Sequence, residues 1–192
     1  MKALCKRYFL AMLTAGALLM APASASLFAA EKTEDQLIAE LDNPDGRKVA
    51  STMLAIEKQY PTSTKALPKI KGFLKDNRPE VRRKAARVLG ALHSEVSSED
   101  LKNIVALIKS NDVDEAIDGL KALRGLKAQK TIPDIKTCLN NPHPNVVRDA
   151  CRTLAVLGSK GDIPAIEPLL TNNNPAVQKD AQDAIFQLKN KS

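Results

Sequence analysis

The side chains best suited to proton transfer near neutral pH, to nucleophilic attack or to soft-metal ligation are few in this chain. There are two histidines and three cysteines in 192 residues. His93 stands in a linker before Ser94, and His143 stands in a turn between Pro142 and Pro144; both read as solvated. Cys5 lies close to the N-terminus, which leaves Cys138 and Cys151 for the folded part. No Cys-x-x-Cys pair, glycine-rich phosphate loop or Ser-His-Asp grouping is present. A structural zinc site needs four convergent ligands and a catalytic one three, and no spacing here supplies them. The expectation is therefore no catalytic residue, no metal ligand and no cofactor.

Lysines are the remaining lead. Formal charge is +7, from 29 basic and 22 acidic residues. Three of the basic residues, Lys2, Lys6 and Arg7, precede an uncharged, mostly apolar run from Tyr8 to Met20, and Ala23-Ser24-Ala25 follows. That order is the layout of a secretory signal peptide with an A-x-A cleavage site. The sequence predicts a signal peptide over 1–25, cut after Ala25, and a periplasmic or secreted protein. An uncleaved anchor is the alternative, because no charge appears from Tyr8 to Ala30. On that alternative the membrane is touched only by this segment. Setting the three residues aside leaves a mild basic excess of four, which favours solubility and argues only weakly for polyanions. Aromatic residues are 3% and tryptophan is absent, which argues against a base-stacking nucleic-acid platform.

The elements that must carry these lysines announce themselves by repetition. Ile132-Pro133-x-Ile135 returns as Ile163-Pro164-x-Ile166, and Asp149-Ala150 returns as Asp180-Ala181. Leu41, Leu74, Ile108, Leu139 and Leu170 mark the same slot in five copies. A fixed period of this length signals a solenoid. Short helices carrying Leu-Pro-x-Ile alternate with longer ones whose apolar stripe falls at i, i+4, i+7 and i+8: Val81, Ala85, Val88 and Leu89. Thr33 with Gln36, and Ser97 with Asp100, have capping-box spacing. Pro168 should shorten its helix. The copy from Asp112 to Leu126 looks worn, since Glu115 and Gly119 replace valine and alanine, and it is expected to be the softest repeat. A recurring row of Asn43, Asn77, Asn111, Asn141 and Asn172 reads as turn chemistry, with side chains accepting from nearby amides. The last long helix carries Gln182, Asp183 and Gln187 where Cys151, Arg152 and Val156 stand one repeat earlier, which reads as a polar cap closing the stack.

Asp76-x-x-Pro79-x-Val81-Arg82-x-x-Ala85-x-x-Val88-Leu89-Gly90 resembles the HEAT-like repeat of the phycobilisome-lyase type, and Asn141 to Gly158 and Asn172 to Leu188 are similar. The resemblance implies an all-α fold over 31–190, a right-handed α-α superhelix of about four and a half helix-pair repeats. The resemblance is specific for fold and almost silent on function; the repeat array without a catalytic grouping is what points to a protein-binding scaffold rather than an enzyme. Some relatives bind iron through His-Glu pairs, but His93-Ser94 and His143-Pro144 do not match that pattern. Relatives that handle bilins or alkylated DNA share nothing with this chain beyond the helices. In the family, an aspartate before the long helix and an arginine after its first valine bridge neighbouring repeats. Only Asp76 and Arg82 keep both, so a continuous ladder is not expected here.

With the short helices taken to line the inner curve, Lys65, Lys69, Lys71, Lys102 and Lys136 become the candidate partner-binding residues of a concave face. The partner expected is another protein of the bacterial envelope. The alternative is an acidic polymer (nucleic acid, anionic glycan or lipid) held by the basic N-terminal half of that groove. An ordinary solvated lysine face accounts for the same residues. In an oxidising compartment Cys138 and Cys151 could pair, provided their Cα atoms come within about 7 Å; two small buried thiols are the other reading.

Overall fold

The computed structural model describes residues 31–191; the expected signal peptide lies outside the described residues. Ten α-helices alternate short and long, with no strand among the described residues. In chain order they are α1 Glu34–Glu40, α2 Gly46–Gln59, α3 Leu67–Gly72, α4 Pro79–Ala91, α5 Ser98–Ile108, α6 Val113–Gly125, α7 Ile132–Thr137, α8 Pro144–Leu157, α9 Ile163–Ile166 and α10 Pro175–Lys189. They form five short–long pairs; counted long-then-short, they form four pairs with a single helix at either end. The fold is an all-α solenoid, as the period predicts.

Local chemistry sets the helix ends. Thr33 Oγ1 accepts from the Gln36 amide at 3.3 Å, and the Gln36 side chain accepts from the Thr33 amide at 2.9 Å. Ser97 and Asp100 exchange the same pair of bonds at the start of α5, at 3.1 and 2.9 Å. Proline occupies the first turn of α3, α4, α7, α8, α9 and α10, where its missing amide costs nothing. Helix α9 stops after Ile166 and continues as a 3₁₀ turn, Glu167–Thr171; this is the shortening expected of Pro168.

The turn from each short helix to the next long one uses one slot, two residues beyond the marker Leu or Ile. Asn43, Asn141 and Asn172 accept there from the amides of Asp45, His143 and Asn174 at 2.8–2.9 Å. In the other two turns Asp76 accepts from the Arg78 amide at 2.9 Å and Ser110 from the Asp112 amide at 3.1 Å. Asn77 and Asn111, counted in the asparagine row, are one residue out of register and do not belong to it.

The core is the set of repeated stripes. Val81, Ala85, Val88 and Leu89 are fully buried, and so are Val146, Ala150 and Leu154 one pair of repeats later. The long helices stack directly on one another, and the seam between α4 and α6 is the most extensive. A Cβ placed on Gly90 would lie 2.7 Å from the Ala122 Cα, so only glycine permits that approach.

The copy in α6 is not worn. A Cβ on Gly119 already lies 2.8 Å from Ile108 Cγ2, so this glycine lets α5 and α6 close up. Glu115 is 5% exposed and is bonded by Arg82 Nη2 at 2.5 Å and by Ser110 Oγ at 2.6 Å. The slot that looked like a lost valine is a satisfied carboxylate, so the residues that made this copy look worn are in use.

Candidate interaction surface

Charged groups in this stack are used first to join repeats. Asp118, Asp149 and Asp180 fill one slot on α6, α8 and α10, and each is at most 8% exposed. Arg83 reaches Asp118 at 3.0 Å from the preceding long helix, and Arg87 reaches it at 3.8 Å. Arg148 and Arg152 reach Asp180 at 2.6 and 3.1 Å from the equivalent positions. Between α6 and α8 those two positions are Ile117 and Lys121, and only Arg124 approaches Asp149, at 3.9 Å. The ladder is therefore interrupted, as expected, but bridges at two seams, α4–α6 and α8–α10, were not foreseen. They run through the aspartate slot of Asp118, Asp149 and Asp180, and through arginines one and five residues beyond the family's usual slot.

Arg82 itself donates to the Asp76 and Asn77 carbonyls at 2.8 and 3.1 Å and to Glu115. Gln178 repeats the first of these roles by donating to the Asn172 carbonyl at 2.7 Å. The Asp76 carboxylate is taken by Arg78 Nε and Nη2, both at 2.8 Å. The hydrogen bonds from Arg78 hold it below the usual carboxylate range.

A second set of pairs ties the short helices together. Lys69 meets Asp42 at 2.7 Å, Lys109 meets Asp134 at 2.6 Å and Lys136 meets Asp162 at 2.5 Å. Burial alone would raise the Asp162 pKa; bonds from Lys136 and Ser159 outweigh it, so the group titrates low. Lys65 meets Asp35 at 3.4 Å, with both side chains largely exposed, a pairing that contributes little. Of the five candidate lysines, Lys65, Lys69 and Lys136 are thus in ion pairs, while Lys71 and Lys102 make none among the described residues. The structure does not gather the five into one patch of free charge.

The two layers are not equally spaced. Long helices touch their long neighbours along most of their length, whereas successive short helices touch far less. The lysine row lies along this more openly spaced short-helix layer. Grooves open between helices on that side.

Cys138 and Cys151 are free and buried. Burial raises both thiols; for Cys151 burial, with the nearby Asp180 carboxylate, pushes it up to about 12. His93 is exposed and donates from Nδ1 to the Gly125 carbonyl at 2.8 Å. His143 is only half-exposed, and its Nδ1 is enclosed without a partner among the described residues, because the turn folds it inward rather than leaving it solvated. It lines a groove of about 460 Å³ with Cys138. A thiol held protonated beside one imidazole supplies no activated nucleophile. Among the described residues no group of three or more His, Cys, Asp or Glu could hold a metal ion, and no helix is long and apolar enough to cross a membrane.

The family model for HEAT repeats matches residues 34–120 and, again, 102–185. The chain belongs to the HEAT-repeat family. No curated protein matches the sequence. Among solved structures, this HEAT-repeat stack is similar to the complex of CpcE and CpcF of phycocyanin lyase from Nostoc sp. PCC7120: 20% identity over 92% of this chain and 71% of that one, with a TM-score of 0.71. A designed armadillo repeat protein in complex with the peptide (KR)4 is 20% identical over 80% of each chain, with a TM-score of 0.62. An engineered protein is 20% identical over 82% of this chain and 81% of its own, also at 0.62. These likenesses establish the fold. HEAT-type solenoids of this kind are in general scaffolds for other proteins.

Proposed function

We propose that this HEAT-repeat protein is a non-catalytic interaction scaffold of the bacterial envelope that holds a segment of another protein. The observation that carries the reading is the use of its charges: arginine–aspartate pairs in the long-helix layer and lysine–aspartate pairs in the short-helix layer join repeats, which builds an extended surface and leaves no cluster poised for chemistry among the described residues. The partner surface is the short-helix side, with Lys65, Lys69, Lys71, Lys102 and Lys136 as its basic positions. Export is supported by Lys2, Lys6 and Arg7, the Tyr8–Met20 run and Ala23-Ser24-Ala25. Two experiments test the reading. Mass spectrometry of the protein recovered from its native cells should give a chain beginning at Ser26; an intact N-terminus in a cytoplasmic fraction would remove the envelope assignment. Immobilised protein should retrieve a defined partner from envelope extract, and Lys71→Glu with Lys102→Glu should weaken that retrieval.

A second reading follows from the same unpaired lysines: an acidic polymer as ligand. It requires an affinity that falls steeply with salt. A flat response between about 50 and 200 mM salt excludes it.

A further inference from the structure

One short helix departs from the repeat on its outward side. The slot held by Lys71 in α3, Lys136 in α7 and Glu167 after α9 is Val105 in α5. The first-turn proline of the other three copies, Pro68, Pro133 and Pro164, is Lys102 in α5. Without the proline, and with the Ser97–Asp100 capping box ahead of it, α5 runs for 11 residues where α3 and α7 run for 6. Between α5 and α7 lies a groove of about 510 Å³, reached by Ser98 of the extra turn. Leu101, Val105 and Ala106 form its floor, and Lys102, Lys109 and Lys130 stand along its rim. Asp134, its one carboxylate, is already paired with Lys109 at 2.6 Å. Lys102 and Lys130 are exposed and make no ion pair among the described residues. An apolar floor under a rim with two unspent positive charges is complementary to an apolar side chain flanked by negative charge.

We propose that the groove between α5 and α7 docks a segment of a partner protein in which one or two bulky apolar side chains lie between carboxylates. This rests on the scaffold reading above and names the chemistry of its partner. Three small side chains cover an anchor residue but leave an acyl chain in water, so the occupant is a peptide rather than a lipid. The positive rim selects acidic flanks, and the apolar floor gives the anchor its affinity. Reversing either set of charges sets like against like at the rim, which costs affinity as well as choice of partner.

The test is fluorescence anisotropy of the purified full chain with a labelled peptide, Gly-Ser-Glu-Glu-Leu-Phe-Glu-Glu-Ser-Gly. Two control peptides replace either all four Glu by Lys or Leu-Phe by Ser-Ser. Binding should weaken about tenfold or more with either control. It should weaken as much in Val105→Asp and in the double variant Lys102→Glu/Lys130→Glu, and stay unchanged in Lys160→Glu, whose lysine is exposed elsewhere. The double variant changes exposed side chains only, so it keeps the test valid should Val105→Asp fail to fold. Equal binding of the acidic and basic peptides overturns the proposal. So does an affinity untouched by the double variant, displacement by oleate or by oligodeoxythymidylate, or no binding by the wild type. Undiminished capture of a defined partner by the double variant would remove the groove while leaving the scaffold; no capture by the wild type would remove the scaffold itself.

Discussion

Lys127 closes α6 with φ at 52°, and His93 closes α4 with φ at 48°. In both places the chain makes the same terminal bonds: the Ala128 amide reaches the Leu123 carbonyl at 3.0 Å, and the Ser94 amide reaches the Leu89 carbonyl at 3.1 Å. That cap favours glycine, because a Cβ is strained in the left-handed region. His93 is compensated by its bond to Gly125; Lys127 is exposed and has no such bond. Lys127→Gly is therefore expected to stabilise the protein by about 0.5–1 kcal/mol, read as a higher urea midpoint, while His93→Gly should gain less or lose. The thiols make a pH prediction. Cys151 keeps its proton in the fold up to about 12, whereas an unfolded cysteine releases it near about 8.5. The unfolded state thus loses the proton first. This contribution is whole below the unfolded value and is lost as pH rises toward the folded one. Stability should fall with pH above about 9, and Cys151→Ala should flatten that slope. A denaturation series at alkaline pH measures both.

Within the long-helix layer, Asp180 is where the ladder can be tested. Asp180→Asn leaves Arg148 and Arg152 side by side without their shared carboxylate. Both guanidiniums retain some solvent, 30% and 45% exposed, so the loss should fall short of that for a fully buried pair, at about 1–3 kcal/mol. A melting temperature within error of the wild type would mean the ladder is decoration. Helices and caps were legible in the sequence because their determinants are local: Thr33 and Gln36 are three residues apart, and the Val81–Ala85–Leu89 stripe lies on one helix. The ladder was not. Arg83 and Asp118 are 35 residues apart, Arg148 and Asp180 are 32, and Arg152 and Asp180 are 28. No single offset links them, because the repeats differ in length and the arginines of two slots on one helix converge on one slot of the next. The lysine row was found in the sequence; its partners Asp42 and Asp162 lie on neighbouring units, and which carboxylate each lysine meets depends on how the units stack.

Stability in a solenoid is a sum over neighbouring units, so loss of one seam lets the parts on either side of it unfold separately. The seam between α4 and α6 joins the first two short–long pairs to the last three and depends on Gly90. Its Cβ position meets the Ala122 backbone, and the Gly125 position in turn meets the Gly90 backbone. Neither backbone can step aside as a flexible side chain would. Gly90→Ala should cost about 1–3 kcal/mol, and Gly90→Leu should force the helices apart. Two halves that no longer share an interface unfold separately, each with the stability of its own pairs. The wild type should lose amide protection as one unit. In Gly90→Leu, residues from α1 to α4 should exchange at lower denaturant than those from α6 to α10, whose Asp180 pairing with Arg148 and Arg152 remains. Hydrogen exchange with peptide-level readout separates the outcomes. One coincident transition in the variant would mean that cohesion runs through the short helices and their Lys–Asp pairs, and the layer that carries the stack would have to be reassigned.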